Sequence, residues 1–556
     1  YVSDQPDTSR PYLTLICKGS GVFPRLSFDR PFISCPPVPL GITSRTSFSI
    51  LNNGYDSLML QYRQSPTIPV PLEITFPGGQ ELGLTVLKVR VNVACSSDIG
   101  TSWCGKVEFF DNDGEKFAIE VSGVSDNSLF TCYSFARAYN DVFGFVGIED
   151  QPIRYMTKKE IMSVRLMDAK HREHNRRQQV MERQKQKGGA SAPDKDSHKD
   201  SASKDAPGKK NKNKRHDEDP GSLLNQLDTK FSQDDTVDGI ILSREIENEL
   251  PGINDLEISA LLKWLNKYVC RKLFDVENFL NNVLETNGDI VIDCIEQMSG
   301  RRIPLSGEAP GAPVLGGDRP DTAATTSIVY RLVNKYKSML QYLVKTGALL
   351  NHINPAVMLD LSGYLLASET ELRRAEGDRL TPAILQDRQT YCEANWNNLC
   401  TQAWAEILYQ CVKIFILGKL SYADFLKMPG VSMNNDFELE DMKAGKKKKS
   451  KYPPEFAPSN IHSHGEAVLL AWAGYHIHHA KTLEDEGSGS TASSGVRMLA
   501  AGTGRRVIDI DTELADMYGY CQLIHSHMPE ATRPGGALSG YTVGDHTRQA
   551  NNLARY

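Results

Sequence analysis

The sequence lacks the common signatures of membrane-spanning, zinc-binding and nucleotide-binding chains. Its 11 cysteines include no Cys-x-x-Cys pair, so the usual spacing of a zinc ribbon or a dithiol redox site is missing. The most apolar late stretch, Ile407–Leu417, is short and contains Lys413, which indicates a buried helix and not a membrane span. No His-Glu-x-x-His is present, and the glycine-rich stretch 502–506 lacks the Gly-Lys-Ser/Thr ending of a phosphate-binding loop.

The overall composition is that of a chain with several folded domains. Of 556 residues, 40% are hydrophobic and 24% are charged, and the length predicts roughly three to four domains. A formal net charge of −6 disfavours a wholesale nucleic-acid binder, and scattered cysteines in odd number suit reduced thiols in the cytosol. No charged-then-apolar leader follows Tyr1, so we expect no signal peptide and interpret the chain as a piece of a longer polypeptide.

The first 140 residues predict an all-β region. Short β-branched or alternating runs are separated by turn sequences such as Asn52-Asn53-Gly54, Pro77-Gly78-Gly79 and Asp113-Gly114. The predicted strands are Thr46–Leu51, Ser57–Tyr62, Leu72–Phe76, Leu84–Ala94, Lys106–Phe110 and Lys116–Val121. We expect residues 1–22 to end a preceding sandwich and residues 23–140 to form an immunoglobulin-like β-sandwich.

Positive charge is concentrated in one segment. Residues 154–219 contain 19 basic and 11 acidic side chains, a local net charge of +8, so the remainder sums to −14. We predict a basic helix over residues 141–187 and a disordered linker over residues 188–222. Such a run is either simply solvated or an electrostatic tether to an acidic polymer surface. The candidate binding residues are Lys158, Lys159, Arg176, Arg177, Arg183, Lys185, Lys187, Lys446, Lys447, Lys448 and Lys449.

The rest of the chain predicts helices. Ile258, Leu261, Leu262, Leu265 and Val269 follow the spacing of one apolar helix face. The motif Leu261-Leu262-Lys263-Trp264 returns as Leu469-Leu470-Ala471-Trp472, which we interpret as a packing signature because tryptophan buries a large area. We expect a helical domain at residues 223–433, a Lys-rich linker at 434–458 and part of a second domain at 459–556. The predicted core residues are Leu261, Leu262, Trp264, Phe279 and Trp404.

Both regions resemble known families. The helical part resembles calponin-homology domains through Leu261–Trp264, Asn278-Phe279, Asn287-Gly288, Ile295, Gly300–Pro304, Leu349–Pro355 and the helix around Trp404. A second copy would run from Ser463 to His527-Met528-Pro529, and it departs from the pattern at Met517. The β region resembles ASH-type domains of ciliary proteins through Leu15–Gly19, Phe28-Asp29, Asn52–Tyr55, Phe76–Gly79, Val107–Asp111 and Val121–Gly123.

This combination resembles large proteins of the central apparatus of motile cilia. The resemblance implies a non-enzymatic scaffold of the axoneme, in the cytoskeletal compartment, that is required for ciliary motility and has no cofactor or membrane. Its implied partners are tubulin in the central-pair microtubules and other central-apparatus proteins. Filamentous actin is the alternative partner, because tandem calponin-homology domains often bind it. Nucleic acid is not expected, since Tyr155 is the only aromatic residue near the basic run.

Two further motifs offer alternative chemistry. The late histidines would suit a metal-dependent hydrolase if three or four of them converged, although we expect solvated or capping roles; they are His462, His464, His476, His478, His479, His525 and His527, with Cys521 nearby. Asp111-Asn112-Asp113-Gly114 suggests a calcium loop, but Phe109 would occupy its first ligand position, so we predict a β-hairpin turn.

Overall fold

A computed structural model describes most of the chain and groups it into two compact units. The described residues are 24–148, 151–167, 169–170, 253–305, 320–377, 380–427, 437–440, 447–450, 456–486, 507–508, 520 and 523–524. The first unit combines Tyr1–Asp126 with Ile253–Ile414, and the second combines Asn127–Gly252 with Phe415–Tyr556. The boundary predicted at residue 140 therefore falls inside the second unit, and each unit joins stretches that are far apart in sequence.

The β-sandwich of the first unit is built from one antiparallel sheet and one mixed sheet. Its strands are β1 (Arg25–Phe28), β2 (Phe32–Ser34), β3 (Val38–Pro39), β4 (Ser44–Asn53), β5 (Ser57–Met59), β6 (Gln61–Gln64), β7 (Leu72–Thr75), β8 (Glu81–Gly83), β9 (Lys88–Cys95), β10 (Thr101–Phe110) and β11 (Lys116–Asp126). The antiparallel sheet has the order β1-β4-β9-β7 and the mixed sheet β2-β11-β10-β6, in which β2 pairs in parallel with β11, and β3 pairs in parallel with the end of β11. The predicted all-β sandwich is confirmed.

Alternating side chains from both sheets form the sandwich core. Phe48 of β4 and Phe109 of β10 pack with ring centroids 6.0 Å apart, and both are buried. Val107 of β10 and Ile119 of β11 alternate with exposed or half-buried neighbours, as a strand with one buried face requires. The core cluster takes residues from both sheets, so burial of this shared apolar layer holds them together.

The loop between β10 and β11 is a hairpin turn, as predicted. Gly114 has a φ of 80°, a left-handed conformation that glycine adopts without strain. The Asp111 carboxylate accepts hydrogen bonds from the backbone N–H groups of Asp113 and Glu115, at 3.0 and 2.7 Å, and from the Tyr55 hydroxyl at 2.8 Å. These bonds make Asp111 a turn-forming residue, which agrees with the hairpin interpretation.

Helices form the remainder of the first unit. They are α3 (Asp255–Tyr268), α4 (Phe279–Glu285), α5 (Asp289–Ser299), α6 (Pro320–Lys345), α7 (Leu361–Glu376) and α8 (Pro382–Phe415). Helix α3 begins at a capping box in which Asn254 and Glu257 satisfy each other's backbone N–H groups. Gly288, with a φ of 75°, precedes α5 and lies where a Cβ would come within 2.6 Å of the Trp404 ring. The close approach and the positive φ both require glycine at this position.

Polar contacts fix the helices to the sandwich within this unit. The Asp126 carboxylate at the end of β11 accepts hydrogen bonds from Lys413 Nζ and, at 3.1 Å, from Gln410 Nε2. Asn351 donates its backbone N–H to Ser102 Oγ at 2.9 Å and its side-chain amide to the Ser102 carbonyl at 3.2 Å. Because the Asp126 side chain is only 1% exposed, this junction is a buried ion pair.

The second unit combines a small hairpin with helices from the C-terminal part. Its elements are α1 (Leu129–Ala138), β12 (Phe143–Val146), β13 (Arg154–Thr157), α2 (residues 158–167), α9 (Tyr422–Phe425), β14 (Phe437–Glu440), β15 (Lys447–Ser450) and α10 (His464–Glu486). The prediction of a helix over residues 141–187 was wrong for its first part, because Phe143–Val146 and Arg154–Thr157 pair as the strands β12 and β13. The predicted Lys-rich linker contains the antiparallel pair β14–β15.

Candidate interaction sites

The described part of the basic segment is exposed to solvent at the start of α2. Thr157 and Glu160 form a capping box, with Thr157 N–H donating to Glu160 Oε2 at 2.9 Å and Glu160 N–H donating to Thr157 Oγ1 at 3.2 Å. This cap explains why the helix begins directly after β13. Lys158 and Lys159 are exposed in its first turn, whereas Ile161 is buried and anchors the helix. The two lysines are thus available to a partner.

The other candidate basic residues are described less fully or not at all. Lys447, Lys448 and Lys449 lie in β15, where the backbone register places Lys447 opposite Glu440 and Lys449 opposite Glu438. The remaining candidates lie outside the described residues, and they are Arg176, Arg177, Arg183, Lys185, Lys187 and Lys446. The same holds for residues 1–22 and the predicted disordered linker at 188–222, which stay predictions.

Four of the five predicted helical core residues are buried, and one is not. Leu262 and Trp404 are fully buried, and Leu261 and Phe279 are buried nearly as well. The prediction for Trp264 was wrong, because its side chain is 38% exposed. Trp264 lies three positions after Leu261 and two after Leu262, so when the two leucines face the core it reaches only the edge of the buried face.

A buried carboxylate joins two helix starts in the second unit. Glu466 Oε2 accepts hydrogen bonds from Ser463 N–H and Ser463 Oγ, both at 2.8 Å, and so caps its own helix α10. Its Oε1 accepts hydrogen bonds from Ser128 Oγ and Phe130 N–H, both at 3.0 Å, at the start of α1. One side chain therefore satisfies donors at the N-termini of two helices that are distant in sequence.

Burial raises the pKa of Glu466, although the four hydrogen bonds to its carboxylate oppose the rise. The folded chain then binds the carboxyl proton more tightly than the unfolded chain does. We therefore expect the free energy of unfolding of the second unit to fall as pH rises from the ordinary glutamate pKa of 4.5 to the raised pKa of Glu466. Chemical denaturation at a series of pH values measures this slope.

The matched variant for this prediction is Glu466→Gln. Its side chain carries no titrating group, so its curve of stability against pH should be flatter than that of the parent above pH 4.5. Parallel curves for the two proteins would show that Glu466 keeps its ordinary pKa in the folded state.

Three of the late histidines, His462, His464 and His476, take structural contacts. His462 is buried and stacks on Phe145, with ring centroids 5.8 Å apart. His464 Nδ1 lies 2.7 Å from the Phe456 carbonyl, and the His476 ring packs against Trp472. Within the described ranges no group of three potential metal ligands converges. Cys521, His525 and His527 lie outside those ranges.

No described helix is both long and apolar enough to cross a bilayer.

The residues whose hydrogen bonds join stretches distant in sequence were not predicted from the sequence, and only Glu466 lies in a recognisable sequence motif. Ser463-x-x-Glu466 has the spacing of a capping box, which indicates a helix start but not its second role. Asp126, Lys413 and Asn351 belong to no motif, because an ion pair or an amide contact between distant elements leaves no pattern in the sequence.

Comparison with known protein families gives a match to the helical part of the first unit. Residues 247–420 match the family model described as the cilia- and flagella-associated protein 47 domain. This range covers α3 to α8, the helical part of the first unit. This part of the chain is thus similar to a domain of cilia- and flagella-associated proteins.

The particular relatives agree with that class. The chain is 20% identical over 560 residues to mouse cilia and flagella-associated protein 47, and the match covers 93% of the chain and 16% of the relative. The human protein of that name is 20% identical over 513 residues, with 83% of the chain and 15% of the relative covered. The chain spans about a sixth of the length of these curated relatives. Its resemblance to cilia- and flagella-associated protein 47 is confirmed.

Solved structures include an ASH/PapD-like domain of human CEP192, PapD-like domain 7. It covers 21% of this chain and 98% of that domain, at 12% identity and a TM-score of 0.14. The sandwich assignment rests on the strand order and the shared core described above.

Proposed function

We propose that this chain is part of a non-enzymatic scaffold in the axoneme of motile cilia, required for motility through its place in the central apparatus. The observation that carries the proposal is the resemblance to cilia- and flagella-associated protein 47 over 93% of the chain. The partners proposed are central-pair microtubules and neighbouring central-apparatus proteins. We propose that the helices of the first unit form a calponin-homology-like domain. The burial of Leu261, Leu262, Phe279 and Trp404, four of its predicted core residues, supports this interpretation.

Buried polar junctions support a structural role. A scaffold must hold its parts at fixed positions under load, and the Asp126–Lys413 pair and the Glu466 cap each tie together stretches remote in sequence. A buried charge is costly when it loses its partner, so such junctions favour one arrangement over loosely docked ones. Within each unit, such a junction therefore holds remote stretches of the chain in one arrangement, as a domain of a scaffold requires.

The basic segment is proposed to attach the chain to the acidic microtubule surface. Lys158 and Lys159 are exposed, and residues 154–219 have a net charge of +8 while the rest of the chain is negative. Each exposed ion pair contributes only about 0–1 kcal/mol, so affinity must come from many contacts. Binding should then weaken steeply with salt, because the Debye length falls to about 3 Å at 1 M.

Cosedimentation with microtubules tests this tether. The tested variant converts seven basic residues to glutamine, and they are Lys158, Lys159, Arg176, Arg177, Arg183, Lys185 and Lys187. It should lose most of the bound fraction at low salt with an unchanged circular dichroism spectrum. A matched control converts seven exposed cations of the first unit, namely Lys88, Lys106, Lys116, Arg301, Arg302, Lys345 and Arg374, and should bind like the parent.

The same assay with filamentous actin addresses the alternative partner. If the seven-residue glutamine variant binds microtubules like the parent, the basic segment is not the tether. The folded units would then have to make the contact with microtubules. Stronger pelleting with actin than with microtubules would favour the actin-crosslinker function instead.

A further inference from the structure

Helix α3 presents an apolar and aromatic surface to solvent. Leu256, Trp264 and Tyr268 are 80%, 38% and 64% exposed, and Ala260 is exposed between them. Their four-residue spacing places them along one side of the helix, and we call these four residues the α3 stripe. The Trp264 and Tyr268 rings are in contact, with centroids 5.9 Å apart. Single exposed apolar residues are ordinary, but a continuous row of them marks an interaction surface.

Cations flank the aromatic end of the α3 stripe, whereas the acidic Asp255 adjoins its Leu256 end. Lys263 and Lys267 are exposed on the same helix, and Lys267 Nζ lies 5.2 Å from the centre of the Tyr268 ring. Arg271 and Lys272 follow the helix and are exposed, with left-handed φ values of 48° and 68°. In the part of the chain that the structure describes, none of these four cations forms a salt bridge. Strained non-glycine backbone of this kind tends to occur at functional sites.

The repeated sequence motif shows what packs on a tryptophan at this position. In helix α10, Trp472 of Leu469-Leu470-Ala471-Trp472 is half-buried and packs against a cluster that contains Tyr422, Phe425 and Phe456. On α3 the corresponding Trp264 contacts, among the described aromatic rings, only Tyr268 of its own helix. The same motif therefore has an aromatic covering in one unit and an exposed face in the other.

We propose that the α3 stripe binds an acidic segment of a partner protein that carries an aromatic or aliphatic anchor residue. The anchor packs on Trp264 and Tyr268 as the aromatic cluster packs on Trp472, and the partner's carboxylates pair with Lys263, Lys267, Arg271 and Lys272. Charge complementarity selects the acidic partner, since the four exposed cations named above lie next to the aromatic pair in sequence and all carry positive charge. An exposed tryptophan at the centre of such a surface is the type of residue that dominates binding energy.

This site goes beyond the proposed microtubule tether. It lies in the first unit, whereas Lys158 and Lys159 lie in the second. The proposed site depends on the proposed scaffold function in one respect, namely that a scaffold binds more than one partner. A probe that contains no tubulin therefore tests it separately.

The test uses the full chain and a fluorescein-labelled synthetic peptide of glutamates interrupted by two phenylalanines, with binding followed by fluorescence anisotropy. Trp264→Ala should weaken the affinity about tenfold or more, as should the double variant Lys263→Gln, Lys267→Gln. An all-glutamate peptide should bind more weakly than the phenylalanine-containing one. Tyr330→Ala on α6 removes a 53% exposed aromatic residue from the same unit and should leave the affinity unchanged.

Four results would overturn the proposal. The first is parent-like peptide affinity in the Trp264 variant when its circular dichroism is unchanged. A loss in Tyr330→Ala as large as in Trp264→Ala would show that the effect is not specific to the stripe. Stronger binding of oligouridylate than of the acidic peptide would assign the surface to nucleic acid. A dimer in sedimentation equilibrium that Trp264→Ala dissociates would assign it to a second copy of the chain. Because Trp264→Ala should cosediment with microtubules like the parent, failure of the stripe and failure of the tether are distinguishable.

Discussion

Replacing Lys413 by alanine is expected to lower the free energy of unfolding of the first unit by about 3–5 kcal/mol. The reason is the charge that remains. The Asp126 side chain is 1% exposed, and in the variant its carboxylate keeps Gln410 as a neutral donor at 3.1 Å but loses the ammonium group. Removing the cation from a buried ion pair is costly, because the remaining charge loses a favourable interaction that water does not replace. Denaturant unfolding followed by circular dichroism measures the loss.

A surface ion pair in the same unit serves as the matched control. Arg373 Nη2 lies 2.6 Å from Glu369 Oε1, but the arginine side chain is 60% exposed. Arg373→Ala should therefore cost under about 1 kcal/mol, because water solvates the charge that remains. Equal losses in the two variants would mean that Asp126 is solvated in the folded chain, and that the junction between the sandwich and α8 is not a buried one.

Trp404→Ala is expected to lower the free energy of unfolding by about 3–5 kcal/mol. The Trp404 side chain is fully buried and meets the Tyr336 ring edge-on, with centroids 5.3 Å apart. Its ring also fills the space next to Gly288, where a Cβ would clash. Truncation leaves a large cavity between α5, α6 and α8, and a close-packed core collapses only partly into such a space.

Trp264→Ala is the paired comparison, since the same substitution is made on the same unit. With 38% of its surface exposed, Trp264 loses less buried area on truncation than the fully buried Trp404, so the loss should be smaller, about 1–2 kcal/mol. A loss close to that of Trp404→Ala would show that Trp264 belongs to the core, and it would remove the α3 stripe as an interaction surface.

Sequence patterns predicted the local elements because these depend on residues close together in the chain. Alternation along the second half of β10 and the first half of β11 follows from one buried sheet face. The turn at Asp111–Gly114 follows from a left-handed glycine and an aspartate that accepts hydrogen bonds from nearby backbone N–H groups. Helix α3 lies where the apolar spacing of Ile258, Leu261, Leu262 and Leu265 predicted a helix. The burial of Leu262 and Trp404 also follows from the local sequence, since each lies at the centre of the buried apolar face of its helix.

The sequence by itself therefore determined the order of a β region followed by helices, most element positions, and the resemblance to ciliary proteins. Only the tertiary structure decided which distant stretches share a unit, because contacts such as Asp126 with Lys413 and Ser128 with Glu466 join single residues that no periodicity links. It also decided the exposure of Trp264. The motif Leu-Leu-x-Trp determines on which side of its helix the tryptophan lies, but its burial depends on whether another element packs against that side. Aromatic residues cover it for Trp472, whereas Trp264 remains exposed beside Tyr268.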